Sequence, residues 1–479
     1  MKSQTTREPA KSARISRRGF LGGAATAAAF TVLPRYVLGG PRYVAPSEKI
    51  NIAIIGSGGQ GFQNTRALLQ QADAHVMAVC DVTEKTDYSR FYYRGFAGRG
   101  PVKEYIDKGY ASQEATSKYK PCLSYIDFRE MLDKEKAIDA VLVATPDHNH
   151  AIACMAAINC GKHVYCEKPL AHSIHEVRRV TEAARKAKVA TQMGNQGHSS
   201  PTIRMTCEWI WDGAIGEVRE VHSWSQTGLD WAGLRVSRPT ETPPVPAGMD
   251  WDLWLGPARK RPYHPAYSPY NWRGWWDFGT GANGDMACHN FDPAFWALKL
   301  GHPTTCEASA TNYSNETTPF GSIMHYQFPA RGGMPPVKAT WYGGGLMPRL
   351  PEELEPGRQL GGGGNGILFV GDKGKIMAEG WGGSPRIIPE SKMKAYNRPP
   401  ATLPRSKGHH RDWLDACKGG KPASSNFDYS GPMTEVILLG NVALRTRTKL
   451  QWDGAKMKAT NCPEADKYIR PEYHNGWVL

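Results

Sequence analysis

The sequence predicts an α/β chain in two halves: a parallel sheet wound with helices, followed by an α+β domain dominated by antiparallel sheet. Between Lys49 and Met193, short apolar and β-branched runs alternate with helical stretches, the pattern of a parallel sheet covered on both faces. The first of these runs ends in a glycine-rich turn that opens a helix. From about Gly197 the alternation stops, and segments with period-two hydrophobicity replace it.

Length and composition support a folded molecule of roughly two to three domains. The 479 residues are 40% hydrophobic and 22% charged, enough apolar material for a sizeable core. Whole-chain disorder and a multi-span membrane protein are excluded. The formal charge of +14 is weighted to the front, because residues 1–46 hold eight Lys/Arg and one acid, leaving +7 for the rest. The remaining basic residues are scattered rather than gathered in a stripe, so no nucleic-acid partner is expected.

The front of the chain reads as an export signal. Ser16-Arg17-Arg18-Gly19-Phe20-Leu21 sets two arginines directly before an apolar stretch, Phe20 to Leu33. That stretch falls short of the roughly 20 residues a spanning helix needs. A basic segment before a short apolar one is a secretory signal, and twin arginines point to the Tat route and a periplasmic destination. After cleavage no stable membrane insertion is expected; uncleaved, the segment would act as an anchor. Residues Pro34 to Pro46 read as a linker, or as an arm over the cofactor or a neighbouring subunit. None of the ten cysteines forms a Cys-x-x-Cys pair, and Cys80, Cys154, Cys160 and Cys166 read as buried free thiols.

The first half carries a dinucleotide fingerprint. A strand over Lys49 to Ile55 runs into Gly56-Ser57-Gly58-Gly59-Gln60-Gly61, a helix follows from Phe62 to Gln71, and a second strand, Val76 to Cys80, ends in Asp81. Gly56 permits the tight turn, Gly58 the approach of a pyrophosphate, and Gly61 close helix–strand packing. The helix start offers unpaired N–H groups to phosphates. Asp81 suits the two ribose hydroxyls and would repel a 2′-phosphate, so NAD is favoured, with NADP the alternative. Further strands are predicted over Ala137 to Ala144, Gly161 to Cys166 and Val189 to Met193, with one helix through Asn159 and another from Ile174 to Ala187 between them; ligand-binding loops should follow each strand. Residues 87–121 read as a polar and aromatic insertion.

In the second half, Glu217 to Ser225, Met324 to Phe328 and Val337 to Trp341 read as half-buried strands. Asp230 to Gly248 and Gly361 to Gly366 read as loop and turn, and Ser430 to Arg445 as a closing amphipathic helix. The run Trp272-Arg273-Gly274-Trp275-Trp276 to Asp285-Met286-Ala287-Cys288-His289 holds an aspartate and a histidine at i and i+4. On one helix face they would lie within hydrogen-bond reach. A carboxylate so placed raises imidazole basicity, as a general base needs.

Taken together, the Gly56–Gly61 turn, the Ala144-Thr145-Pro146 strand end, Glu167-Lys168-Pro169 and Asp285-x-x-x-His289 resemble the glucose–fructose oxidoreductase / inositol dehydrogenase / MocA family, from about Lys49 to Trp452. Met193 to His198 and His409 to Trp413 resemble an exported bacterial subgroup of it. The resemblance implies an N-terminal Rossmann domain over 47–195 and, over 196–479, a substrate-binding domain with a large open sheet that mediates dimers or tetramers; residues 1–46 are signal and linker. It implies Lys168, Asp285 and His289 as catalytic residues. Gly56, Ser57, Gly58, Gly59, Gln60, Gly61, Asp81, Ala144, Thr145, Pro146, His150, Glu167, Lys168 and Asn195 would face the cofactor, and Gln196, His198, Arg273, Trp275, Asp285 and His289 the substrate.

The chemistry this implies is oxidation of a secondary hydroxyl on a sugar, glycoside or cyclitol. His289 would take the hydroxyl proton, Asp285 would stabilise the imidazolium, and Lys168 the developing charge on oxygen. Outside the cytoplasm there is no free NAD pool, so a tightly held, recycled cofactor is expected. Two other schemes fit the same turn: an NAD-dependent glycosidase that oxidises transiently and then eliminates, and a non-catalytic sugar-binding protein. His148, His150, His409 and His410 supply no complete zinc set, so no metal is expected.

Overall fold

The computed structural model describes residues 44–113, 120–227 and 237–479. The twin-arginine motif, its apolar stretch, residues 34–43 of the linker and residues 230–236 of the long loop lie outside them. Pro46–Glu48 forms a single 3-10 turn.

Residues 50–479 make up one compact unit, which begins with alternating elements: β1 (Ile50–Ile55), α1 (Gly59–Leu69), β2 (Ala74–Cys80), β3 (Thr86–Asp87), β4 (Phe96–Ala97), α2 (Arg99–Gln113), β5 (Leu123–Tyr125), α3 (Phe128–Lys134), β6 (Ala140–Val143), α4 (Asp147–Asn159), β7 (His163–Cys166), α5 (Ile174–Ala187) and β8 (Thr191–Met193). The all-apolar β6 is buried at every position, as a strand covered on both faces must be. α5 keeps the predicted bounds because a capping box fixes its start: Ser173 accepts from the N–H of Glu176, whose side chain bonds back to the Ser173 N–H. Six strands form a wholly parallel sheet in the order β5-β2-β1-β6-β7-β8. The order reverses between β1 and β6, and the crevice at such a switch point is where ligands bind.

The chain continues through α6 (Pro201–Trp211), β9 (Val218–Ser225), α7 (Trp251–Leu255), α8 (Gly281–Asn290), α9 (Asp292–Ala297), β10 (Thr305–Ala310), β11 (Ser322–Phe328), β12 (Val337–Gly343), β13 (Asn365–Gly371), β14 (Lys375–Glu379), β15 (Gly383–Ile388), α10 (Glu390–Ala395), α11 (His409–Cys417), α12 (Phe427–Thr446), β16 (Leu450–Asp453) and β17 (Lys458–Ala459). Nine strands form one sheet, β15-β14-β13-β9-β12-β11-β10-β16-β17. Only the β9–β12 pair is parallel; the other neighbours are antiparallel. The glycine tract is not all turn, since Gly366 lies within β13.

α8 and α12 pack together and against this sheet. Asn283 of α8 donates to the Ile437 carbonyl and Asn441 of α12 to the Thr280 carbonyl, at 2.7 and 2.8 Å. The division at residue 195 marks only the first departure from the parallel sheet. α11 returns to it, and Trp413 and Leu414 share a core cluster with Ile52, Ile54, Val79 and Leu142. Eight of the ten cysteines are buried free thiols, but Cys160, at the end of α4, is exposed rather than buried.

Candidate active site

The glycine turn is held by backbone rather than by side chains. Gly56 has φ +85°, and a Cβ there would stand 2.6 Å from the Ala144 carbonyl oxygen at the end of β6; only glycine suits both demands. A Cβ on Gly61 would strike the Gly56 carbonyl, so α1 rests directly on the turn. Ser57 N–H and Oγ donate to Oδ2 of Asp81 at 2.7 and 3.3 Å, and the Thr83 N–H to Oδ1 at 2.8 Å. Burial raises the Asp81 pKa against these bonds. Ser57 and Gly61 thus lie behind the turn surface, where they shape it.

Beside the turn opens a cavity of about 1170 Å³, larger than the roughly 300–1,000 Å³ of a single small-ligand site. Gly56, Gly58, Gly59, Gln60 and Asp81 line it, as do Ala144, Thr145, Pro146, His150 and Glu167. Lys168, Gln196, Arg273, Asp285 and His289 line the same space. The setting is that of a dinucleotide: Gly56, Gly58 and Gly59 border the space where α1 starts, with the Asp81 carboxylate beside them and the Tyr88 and Tyr93 side chains against Gly58 and Gly59.

Three charges and one imidazole meet in the cavity. Lys168 Nζ donates to Asp285 Oδ1 at 2.5 Å and to the Asp285 carbonyl at 3.0 Å. Arg273 Nε lies 3.6 Å from the same Oδ1. Burial by itself would depress the Lys168 pKa, but the Asp285 carboxylate overrides it, and the ammonium holds its proton more firmly than an ordinary lysine. Burial likewise pulls Asp285 upward, and Lys168 and Arg273 carry it below the usual carboxylate range. Burial, then Lys168, push His289 down to about 3, so its ring is neutral at ordinary pH. His289 Nδ1 is buried without a partner among the described residues, which leaves Nε2 as the nitrogen facing the cavity.

The predicted Asp285–His289 hydrogen bond is absent. Both residues share one face of α8, but the carboxylate is taken by the nearer ammonium. Other predicted ligands face away from the cavity. Asn195 Nδ2 and His198 Nδ1 both bond Asp292, at 3.0 Å, and the His198 ring stacks on Trp296 and packs against Tyr429. Trp275 is wholly buried, with its indole N–H on the Ala266 carbonyl; Trp276 is buried likewise. His148 is inside too, its ring nitrogens on the Phe278 and Trp254 carbonyls. His150 does line the cavity, but both its nitrogens meet carbonyls, of Pro169 and Thr145. Among the described residues no cluster of three or more His, Cys, Asp or Glu could hold a metal ion.

Sequence reasoning missed several wall residues. Tyr88 and Tyr93, from the unplaced insertion, pack on the turn: a Cβ at Gly58 would stand 2.5 Å from the Tyr88 hydroxyl, and one at Gly59 would enter the Tyr93 ring. Asp147 and Trp381 also line the cavity. The one available signal was the cluster of aromatic residues at 91–93.

The chain matches the model of the oxidoreductase family with the NAD-binding Rossmann fold over residues 50–195, and the model of that family's C-terminal alpha/beta domain over 201–326. It belongs to the Gfo/Idh/MocA oxidoreductase family. NAD is the cofactor of that family's Rossmann domain. Among curated relatives, the levoglucosan dehydrogenase of Pseudarthrobacter phenanthrenivorans is 28% identical over 169 residues, 35% of each chain. The inositol 2-dehydrogenase of Salmonella typhimurium is 28% identical over 176 residues, 36% of this chain and 45% of that one. The aligned stretches thus span a third to a half of these Gfo/Idh/MocA relatives. Among solved structures, the WlbA dehydrogenase of Bordetella pertussis, in complex with NADH and UDP-GlcNAcA, superposes with a TM-score of 0.55 at 16% identity, covering 85% of this chain and 99% of the other. Levoglucosan dehydrogenase with NADH and levoglucosan gives 0.52 at 15%, covering 84% and 99%. At such identities these two establish the shared Gfo/Idh/MocA fold.

Proposed function

We propose that the protein oxidises a secondary hydroxyl of a sugar, glycoside or cyclitol with NAD that it holds tightly and recycles. One observation carries this reading: Lys168, Asp285, Arg273 and His289 open on the same cavity as the glycine turn. The two curated relatives act, by their names, on a cyclic sugar derivative and a cyclitol, in line with that substrate class.

Bound NAD supplies the hydride acceptor. The protein's own part is to manage charge on one oxygen. The substrate hydroxyl lies between Lys168 Nζ and His289 Nε2. Lys168 donates a hydrogen bond to that oxygen and stabilises the negative charge that grows there. Neutral His289 receives the hydroxyl proton. Asp285 steadies both cations through space, while its direct bond holds Lys168 in place. Arg273 keeps Asp285 ionised. The reading extends to export by the Tat route, to a periplasmic location and to a homodimer or homotetramer.

The first test is mass spectrometry of nucleotide released on denaturing protein purified without added cofactor. Stoichiometric NAD or NADH is the expected result, and panels of sugars, glycosides and cyclitols follow. A protein that arrives empty and also fails to take up NAD overturns the reading. Release of aglycone with no net redox change assigns the same residues to a glycosidase instead.

A further inference from the structure

The cavity wall presents one tryptophan very differently from the others. Among the described residues three line it: Trp254 and Trp272 are 5% and 8% exposed, whereas Trp381 is 52% exposed. A half-exposed indole is unusual for so apolar a side chain, and this one is held where it is. Its φ is +58°, a left-handed conformation rare for a bulky residue. The Trp381 N–H donates to Asn290 Oδ1 at 3.0 Å, and Asn290 is fully buried, next to His289 at the end of α8. Gly197 also backs the residue so closely that a Cβ there would stand 2.8 Å from the Trp381 Cβ. The indole meets the His289 ring edge to face, with centroids 5.6 Å apart and planes at 84°. The indole N–H has no protein partner among the described residues.

We infer that Trp381 is the stacking platform of the substrate site, and that the substrate is a ring: a pyranoside laid with its C–H face on the indole, rather than an open-chain polyol. The inference rests on the oxidoreductase reading for its choice of reacting oxygen. An oxygen within reach of His289 Nε2 brings its ring into contact with an indole only one ring away. An indole combines an apolar face with a polar N–H, which suits a sugar's C–H face and a hydroxyl beside it. An acyclic polyol has no rigid face to offer and would gain little. The strained backbone is then the device that keeps the ring out of the core and over the cavity, and Asn290 couples its position to the helix that carries His289.

The test uses NAD-loaded protein, with methyl β-glucopyranoside and sorbitol as probes. Binding is measured by calorimetry, and KM and kcat wherever turnover occurs. Trp381→Asn removes the ring while tolerating the left-handed backbone; Trp381→Phe keeps an aromatic face. The expected result is pyranoside binding weakened about tenfold in Trp381→Asn and largely kept in Trp381→Phe. Sorbitol binding and kcat should change by less than about threefold, because stacking contributes little to an open chain. Equal weakening of both probes, or none, overturns the platform, as does a wild-type protein that binds no pyranoside. Ring-dependent binding without turnover sustains the platform and removes the oxidoreductase reading instead.

Discussion

At the scale of single residues, the site divides into groups that carry charge and groups that shape space. Lys168→Met should lower kcat by about 10²–10³-fold, the usual cost of one preorganised donor, with nucleotide content unchanged by mass spectrometry. Loss of bound nucleotide would instead make Lys168 a cofactor ligand. His289 supplies the second residue-scale prediction. With its pKa pushed down to about 3, the imidazole is already the free base throughout the neutral range. The pH profile of kcat/KM should therefore show no acid limb between pH 5 and 8, and a limb near 6.5 that disappears in His289→Gln would overturn the depressed imidazole. Lys168 and His289 were legible because each sits in a short linear motif. Asn195, His198 and Trp275 were not, although they neighbour site residues in sequence. Asp292 or the Ala266 carbonyl takes the polar atom of each. Trp381 left no periodic trace at all, being a lone aromatic among glycines.

Among elements, α8 is the part on which the chemistry depends, and both of its neighbours anchor its start. Thr280 precedes α8, and its N–H and Oγ both donate to Oδ2 of buried Asp147, at 3.1 and 2.7 Å. Asp147 opens α4 in the parallel half, so one carboxylate ties the two sheets' helices together. Asp147→Ala leaves two buried donors unpaired, and should cost about 1–3 kcal/mol in urea unfolding. Asp147→Asn, which keeps an acceptor, should cost less, and an equal loss in both would refute the acceptor role. α5 was readable to the residue because its capping box is written in the sequence. β13, β14 and β15 were not read as strands: the outer sheet face there is also buried, under Trp224, Leu360, Leu368, Met377 and Ile388, and that second cluster erases the alternation.

For the molecule as a whole, buried neutral histidines should govern stability against acid. Burial lowers the pKa of His148, His150, His289, His409 and His410. Unfolding returns each to about 6.5, so below that pH the unfolded chain binds more protons. Their contribution is full above about 6.5 and fades as pH falls toward the folded values. Buried Asp81, Asp147 and Glu167, whose pKa values burial raises, act in the opposite sense, nearer the carboxylate range. The thermal midpoint should fall by several degrees between pH 7.5 and 5, and a flat midpoint across that window would exclude this origin. The return of α11 to the parallel sheet has another consequence, one of timing. Trp413 and Leu414 complete a core begun by Ile52 and Ile54, so the nucleotide-binding half remains unfinished on the ribosome until residue 414 has emerged. Loading of the dinucleotide then waits for the second half of the fold, and a fragment cut after the last parallel strand would carry the fingerprint without the means to fold around it.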